Sequence, residues 1–94
     1  QTTKVKGMFV HPAQVAAIAA RHLEIVKARL VVDNAEGVDR MTLNVEVPGH
    51  RSSMADAIVA SIREITKLRG EVVFRAPGEL PNDGKVIDDV RKFD

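Results

Sequence analysis

The chain has 94 residues, of which 14 are Lys or Arg and 13 are Asp or Glu, so its formal net charge is only +1. Single domains commonly contain about 100–150 residues, so this length indicates one domain with a modest core. Cysteine is absent, which excludes disulfides and cysteine nucleophiles and suits a reducing compartment such as the cytoplasm. The mixed charges offer no basic patch for nucleic acid, and no apolar run is long enough to span a membrane.

Three strands and one helix are predicted in the first half of the chain. In chain order these are Met8–Val10, Pro12–His22, Ile25–Asp33 and Arg40–Val47, with a turn at 34–37. Pro12 suits the first position of a helix, where its missing N–H costs little. The two longer strands alternate between apolar and polar residues, which is typical of an antiparallel hairpin with one buried face. Their polar faces, which include Lys27, Arg29, Asn44 and Glu46, are therefore expected to face solvent.

A second helix and a further strand are predicted beyond Pro48. Ser52 or Ser53 is expected to cap this helix, and Gly70 is expected to end it. Its buried stripe consists of five apolar residues: Met54, Ile58, Ile62, Ile65 and Leu68. The strand that follows is Glu71–Arg75.

The order of these elements, β-α-β-β-α-β, predicts an α+β fold. We expect a small, mostly antiparallel sheet with two main helices packed on one face.

The segment from Gly78 to Lys85 is rich in turn-forming residues. Proline fixes its own φ, whereas Asn, Asp and Gly readily adopt left-handed conformations. The segment therefore predicts a tight, exposed loop with the ammonium of Lys85 at its tip, and a solvated loop lysine is the commonest explanation of such a residue. After it, Ile87 and Val90 suggest a last helical turn, with Asp88-Asp89 as a cap in its first turn.

Few residue patterns could support catalysis in this chain alone. His11, His22 and His50 lack the spacing of a metal site, so no metal ligands are expected. Ser52-Ser53 has no histidine partner at a usable spacing. There is also no Walker loop and no Gly-x-Gly-x-x-Gly run. A free-standing enzyme is therefore a poor interpretation of this sequence.

Two segments resemble a known family. Lys4-Val5-Lys6-Gly7-Met8-Phe9-Val10-His11-Pro12 is similar to the turn and strand that open the C-terminal lid of adenylate-forming acyl-CoA ligases, above all the phenylacetate–CoA ligase group. Pro77-Gly78-Glu79-Leu80-Pro81, followed by Gly84-Lys85, resembles the terminal loop of the same lid. Together with the middle strands, the resemblance spans essentially the whole chain.

The resemblance implies a two-step ligase that activates an aryl or acyl carboxylic acid with ATP and transfers it to coenzyme A. Residues 1–94 would be the mobile lid, and a larger N-terminal domain would hold most of the ATP, Mg²⁺ and acid. Lys85 is implied to be catalytic, and Lys4, Lys6, Gly7 and Gly84 to contact the nucleotide or coenzyme A. The family's hinge residue should lie at or just before Gln1, so we expect the chain to be part of a longer cytoplasmic enzyme.

Three features depart from the family pattern. Lys6 stands where relatives often carry arginine, the loop between Pro81 and Gly84 is shorter than in many members, and Asp88-Asp89 replace residues that are often basic. A different class also fits the element order, namely an ACT-like regulatory module that binds an amino acid and uses Gly7 in its ligand loop. That alternative leaves Lys85 without a role. A plain protein-interaction module is a further, weaker alternative.

Overall fold

Eight elements follow one another in the computed structural model, which describes residues 2–92. They are β1 (Thr3–Val5), β2 (Met8–Val10), α1 (Pro12–Arg21), β3 (Lys27–Ala35), β4 (Val38–Glu46), α2 (Ser53–Thr66), β5 (Glu71–Arg75) and β6 (Ile87–Asp89). The predicted β-α-β-β-α-β order is confirmed for β2 to β5, and β1 and β6 add a strand at each end. Gln1, where the hinge was expected, lies outside the described residues.

Both helices begin close to their predicted starts. Pro12 is the first residue of α1, and the N–H of His11 is satisfied by Gln14 Oε1 at 2.9 Å. Ser52 lies at the cap position of α2 but makes no capping hydrogen bond with its side chain. The capping role predicted for a serine is therefore fulfilled in position only.

The end of α2 differs from the prediction. The residue in the left-handed conformation is Lys67, with φ 66°, so the helix ends at Thr66, four residues before Gly70. Gly70 has another role, because a Cβ atom there would lie 3.0 Å from Ile62 Cγ2. Its missing side chain lets the chain pass close to α2 just before β5 starts.

Four strands form a mixed sheet in the order β5-β4-β3-β6. The central pair, β3 and β4, is antiparallel over nine residue pairs, and each outer strand runs parallel to its neighbour. The longest pairing is therefore antiparallel, as expected from the alternating pattern. β5 is parallel to β4 because α2 carries the chain back to the end of the sheet where β4 begins. The loop after β5 crosses to the opposite edge of the sheet, where β6 runs antiparallel to β5 and therefore parallel to β3.

The two helices pack on one face of this sheet, as predicted. Buried apolar side chains of α1, α2, β3 and β4 meet there, and the hairpin of β1 and β2 adds two valines. The most deeply buried members are Val5, Val10, Val15, Ile18, Val32, Leu43, Val45, Val47, Ile58 and Ile62. Thr3–Val5, for which no strand was predicted, forms one with a single buried side, because Thr3 and Val5 are buried and Lys4 between them is exposed.

The polar face of the sheet, which was expected to face solvent, is partly covered. Arg29, Asn44 and Glu46 are all buried, at 7%, 6% and 3% exposure. The loop between β5 and β6 crosses this face, and its Leu80 is itself buried. The strand alternation correctly separated the two faces, but it could not show that a loop covers the polar one.

The last helical turn predicted around Ile87 is wrong, because Ile87–Asp89 is a strand paired in parallel with β3. Leu30 N–H donates to Val86 O at 2.8 Å, and Val90 N–H donates to Val32 O at 2.8 Å. Asp88-Asp89 therefore do not cap a helix. The segment is too short for periodicity to distinguish a helical turn from an edge strand, and pairing with β3 decides between them.

Candidate functional site

The turn between β1 and β2 contains two of the predicted site residues. Lys6 and Gly7 have φ values of 49° and 81° and connect the paired residues Val5 and Met8. Two positive φ values in a two-residue connection define a type I′ turn, which favours glycine at its second position. A Cβ atom on Gly7 would have no neighbour within 4 Å. The outer surface of the turn is therefore open to an incoming ligand or protein surface.

Lys4 lies on the exposed side of β1, directly across from Phe9. Its ammonium is 5.5 Å from the centroid of the Phe9 ring, within the range of a cation–π contact. Phe9 is 60% exposed. The structure therefore places Lys4, Lys6 and Gly7 in one small hairpin, which the strand prediction had not included.

Arg91 fixes this hairpin to the end of the chain. Its guanidinium donates to Lys4 O at 2.7 Å and to Thr3 Oγ1 at 3.0 Å, and it pairs with Asp89 at 2.6 Å. Donation from Arg91 and from the Thr3 hydroxyl lowers the pKa of Asp89 despite partial burial. These contacts join β1 to β6.

Asp39 holds the turn itself. The carboxylate accepts the N–H of Lys6 at 3.0 Å and a hydrogen bond from Arg91 at 3.1 Å. The Lys6 N–H is the main reason that the pKa of Asp39 is lowered. Neither Arg91 nor Asp39 had been singled out from the sequence, since their partners are far away along the chain.

Lys85 lies in the loop before β6. Gly84, immediately before it, has φ 77°, and the Lys85 N–H donates to Asp83 Oδ1 at 3.0 Å. The Lys85 side chain is 55% exposed, with its ammonium 3.9 Å from Asp88 Oδ1. The predicted placement of an ammonium on an exposed, turn-rich loop is therefore confirmed.

The middle of this loop is bound by Lys27 of β3. Its ammonium donates to Pro81 O at 2.7 Å, to Asn82 Oδ1 at 2.5 Å and to Leu80 O at 3.3 Å. A single cation therefore satisfies three consecutive residues of the loop.

Arg29, two residues further along β3, binds the part of the loop next to Lys85. Its guanidinium makes a bidentate pair with Asp83 at 2.7 and 3.2 Å and a third contact with Asp88 at 3.2 Å. The Arg29 side chain is only 9% exposed. Its donation, with that of the Lys85 N–H, lowers the pKa of Asp83 to about 2. In return, the pKa of Arg29 is raised, chiefly by Asp83.

The start of the loop is held by Glu46 of β4. Its two carboxylate oxygens accept the N–H groups of Gly78 and Leu80, each at 2.9 Å. These two hydrogen bonds lower the pKa of Glu46. Glu46 lies opposite Lys27 in the β3–β4 pairing. A polar face shared by two paired strands was the one signal in the sequence that could have identified these anchors.

The two loops are separate, but β6 contributes to both. Adjacent residues of a strand point to opposite sides, and here Asp88 contacts Arg29 whereas Asp89 contacts Arg91. The structure therefore does not bring Lys85 and the Lys6-Gly7 turn into one site. It places them on two connections that are fixed to the same strand.

One Ser–His pair exists that the sequence had not suggested. His22 Nε2 lies 2.8 Å from Ser61 Oγ, joining the end of α1 to the middle of α2. Ser61 is buried, so we interpret this contact as a tether between the helices. Within residues 2–92, no three His, Cys, Asp or Glu side chains come together as metal ligands would.

The fold and the two anchored loops are those of a small α+β domain, and solved structures provide close matches to it. A domain of phenylacetate-coenzyme A ligase from Bacteroides vulgatus ATCC 8482 matches with a TM-score of 0.86 at 21% identity, covering 98% of this chain and 94% of that one. A 2-hydroxyisobutyryl-CoA ligase, in complex with 2-HIB-AMP and CoA in the thioesterification state, matches with a TM-score of 0.85 at 14% identity. The match covers 98% of this chain but 22% of that chain.

The same 2-hydroxyisobutyryl-CoA ligase in a postadenylation state, with R3-HIB-AMP, matches with a TM-score of 0.76 over 94% of this chain and 21% of that chain. No family model matches the sequence. No curated protein matches it either. At 14–21% identity, structural matches bear on the fold alone. They confirm the fold that the resemblance implied. This chain corresponds in length to a domain of the ligase and to about a fifth of the whole 2-hydroxyisobutyryl-CoA ligase chain.

In the described part of the chain, neither helix is long and apolar enough to cross a membrane.

Proposed function

We propose that this chain is the C-terminal lid of an AMP-forming acid–CoA ligase, similar to phenylacetate–CoA ligase. The observation that carries the proposal is the exposed ammonium of Lys85, held on an anchored loop in a fold shared with CoA ligase domains. An N-terminal domain of the same protein would hold most of the ATP and the carboxylic acid. The lid would contribute one loop to each of two reaction steps.

In the first step, a carboxylate oxygen attacks the α-phosphorus of ATP, and pyrophosphate leaves. Negative charge concentrates on the oxygens around phosphorus as the bond forms. A lysine is a compact charge on a flexible stem, which suits it to meet these oxygens. The loop places the Lys85 ammonium clear of the sheet, where it can approach the α-phosphate and the carboxylate. Gly84 allows the close approach of the backbone.

In the second step, the sulfur of coenzyme A attacks the acyl carbon, loses its proton, and AMP leaves. The Lys6-Gly7 turn would line the path of the pantetheine arm, since Gly7 leaves its outer surface open. Lys4 and Lys6 are both exposed beside it and would attract the phosphates of coenzyme A. Two loops on one rigid domain suit a lid that rotates between two orientations.

Mg²⁺ is assigned to the N-terminal domain in this proposal. The carboxylates near Lys85 do not suit a divalent cation, because Asp83 and Asp88 are already paired with Arg29. We therefore derive no step in which a metal is bound by this chain.

The test compares the full-length gene product with the 94-residue chain. With ATP and a panel of aryl and aliphatic acids, the full-length protein should exchange pyrophosphate into ATP and release AMP only when coenzyme A is added. The 94-residue chain should fold but neither catalyse nor bind ATP tightly in a calorimetric titration. Tight binding of an amino acid by the 94-residue chain, with no ligase activity in the full-length protein, would instead favour the ACT-like alternative.

A further inference from the structure

The contacts of the Lys85 loop point beyond Lys85 itself to a residue on the sheet. Resting on the proposed function, we propose that Arg29 is the positioning residue for Lys85: it fixes the backbone next to Lys85 and keeps the ammonium available to substrate.

The first part of the argument concerns the backbone. The Asp83 Oδ1 atom accepts hydrogen bonds from Arg29 at 2.7 Å and from the Lys85 N–H at 3.0 Å. Arg29 is therefore connected to the main chain of Lys85 through one shared oxygen atom. The residue between them, Gly84, has φ 77° and no neighbour within 4 Å of a hypothetical Cβ atom. A glycine adopts this φ without strain, and the hydrogen bond from the Lys85 N–H to Asp83 sets the direction in which Lys85 leaves the loop.

The second part concerns the ammonium. Asp88 lies 3.9 Å from Lys85 Nζ, and its other oxygen accepts a hydrogen bond from Arg29 at 3.2 Å. The Lys85 distance is too long for a hydrogen bond, whereas the Arg29 distance is within range. Arg29 thus binds the Asp88 carboxylate more closely than Lys85 does, although its charge is shared with Asp83. Without it, Asp88 would become a competing partner that holds Lys85 away from phosphate and carboxylate oxygens.

The third part concerns rigidity. The Arg29 side chain is 9% exposed and comes from β3, an inner strand that pairs with β4 at Arg29 and with β6 from the next residue onward. A planar guanidinium that makes two parallel hydrogen bonds to one carboxylate also fixes the angle between the groups. The loop therefore takes its orientation from an inner strand of the sheet. Lys27 and Glu46 hold the earlier part of the loop but make none of the contacts next to Lys85.

The test uses Arg29→Lys, which keeps the charge but loses the planar fork. Arg40→Lys is the matched control, because Arg40 makes a similar two-point pair with Asp33 at 3.0 Å on the exposed part of the sheet. In the 94-residue chain, ¹⁵N relaxation should show the order parameter at Lys85 falling from about 0.85 towards 0.6 in Arg29→Lys. It should not change in Arg40→Lys. An unchanged order parameter in Arg29→Lys would overturn the proposal.

The second measurement is made in the full-length protein. Arg29→Lys should lower kcat for adenylate formation by about 10-fold, with KM for ATP and acid within about twofold. Thioester formation from a supplied acyl-adenylate should not change. Combined with Lys85→Ala, Arg29→Lys should have no additional effect, because it acts only through Lys85. If Arg29→Lys lowers the adenylation rate of Lys85→Ala as much as it lowers that of the unmodified protein, Arg29 does not act through Lys85.

The experiment also covers two other results, namely that Arg29→Lys does not fold and that Lys85→Ala has no effect on adenylation. If Arg29→Lys does not fold, Asp83→Asn replaces it, since it removes the charge pair but keeps an oxygen for the Lys85 N–H. It should reproduce the loss of order at smaller amplitude, and a fully ordered loop would count against the proposal. If Lys85→Ala alone leaves adenylation intact, the proposed role of Lys85 fails, whereas the relaxation data still show whether Arg29 orders the loop. If the full-length protein forms no adenylate at all, the proposed function fails.

Discussion

The hairpin turn at Lys6-Gly7 and the loop at Gly84-Lys85 both depend on a glycine with positive φ, but they are held in different ways. The turn connects two strands that pair directly, from Thr3↔Val10 to Val5↔Met8. The loop has no strand partner of its own before β6, and its order comes from the side chains of Lys27, Arg29 and Glu46. Main-chain pairing makes the turn sensitive to backbone strain. Ionic anchoring makes the loop sensitive to charge.

This difference matches the two proposed tasks. A path for a narrow substrate arm needs a fixed shape, which a type I′ hairpin provides through its backbone. A residue that stabilises developing charge needs a set direction and a free ammonium, which buried charge pairs can provide without covering the side chain. Three perturbations test the comparison, in decreasing order of expected effect.

The largest effect is expected from Lys85→Ala in the full-length protein. Adenylate formation should fall by about 10²–10³-fold, equivalent to about 3–4 kcal/mol, by analogy with the loss of one preorganised donor. The rate should fall more than the affinity, because the charge helps as oxygen charge develops. Lys85→Arg should rescue little, since a planar fork does not reproduce a point charge. The measurement is a half-reaction assay of pyrophosphate exchange.

Lys92→Ala is the matched control for that experiment. Lys92 lies outside any helix, and its main chain exchanges two hydrogen bonds with the side chain of Asn34. Its replacement should leave both half-reactions unchanged. Near-normal adenylation by Lys85→Ala would show that the catalytic assignment is wrong.

The next effect concerns the turn. Gly7→Trp in the full-length protein should slow thioester formation on the order of 10²-fold, as expected when reacting groups are displaced by about 1 Å, while adenylate formation is spared. The backbone strain of a non-glycine residue at φ 81° must be separated from the steric block. Gly37→Trp provides that control, because Gly37 has φ 78° in the equivalent turn between β3 and β4 and also has no neighbour within 4 Å. Equal loss of both half-reactions in Gly7→Trp would mean that the turn is only structural.

The smallest effect is expected from acid. The pKa of Asp83 is about 2 in the folded chain and 3.8 ordinarily, so its contribution to stability is complete above about pH 4 and is lost as the pH falls towards 2. Amide exchange measured across this range should show the amides next to Lys85 losing protection. In Asp83→Asn the protection of those amides should be lower at neutral pH and should change less between pH 4 and 2.

The hairpin provides the internal reference for this titration. Its Asp39 and Asp89 also have lowered pKa values, but the amides of β1 and β2 remain paired with each other when those carboxylates are protonated. We therefore expect the turn to retain protection at pH values where the Lys85 loop has lost it. Simultaneous loss in both regions would contradict the distinction between main-chain and ionic anchoring.

Local patterns in the sequence predicted most of the fold. Pro12 marked the start of α1, the stripe through Ile58 and Ile62 identified the buried side of α2, and strict alternation identified β3 and β4. These features succeed because helical and strand periodicities are properties of the chain segment alone. Resemblance at the two ends of the chain also indicated the Lys6-Gly7 turn and Lys85 as candidate site residues.

What the sequence pattern left undecided depends on contacts between distant segments. Whether Ile87–Asp89 forms a strand or a helical turn depends on the free edge of β3, and whether Arg29 faces water depends on a loop more than 50 residues away. A charged residue at an outward strand position is predicted to be solvent-exposed, because strand periodicity shows on which face of the sheet a residue lies but not whether another segment covers that face. Arg29 and Glu46 act as anchors because they make hydrogen bonds to residues 78–88. Arg91 does so because it makes hydrogen bonds to the hairpin of β1 and β2. Such pairings are set by the packing of the whole domain, where burying a charge requires that a partner be brought to it.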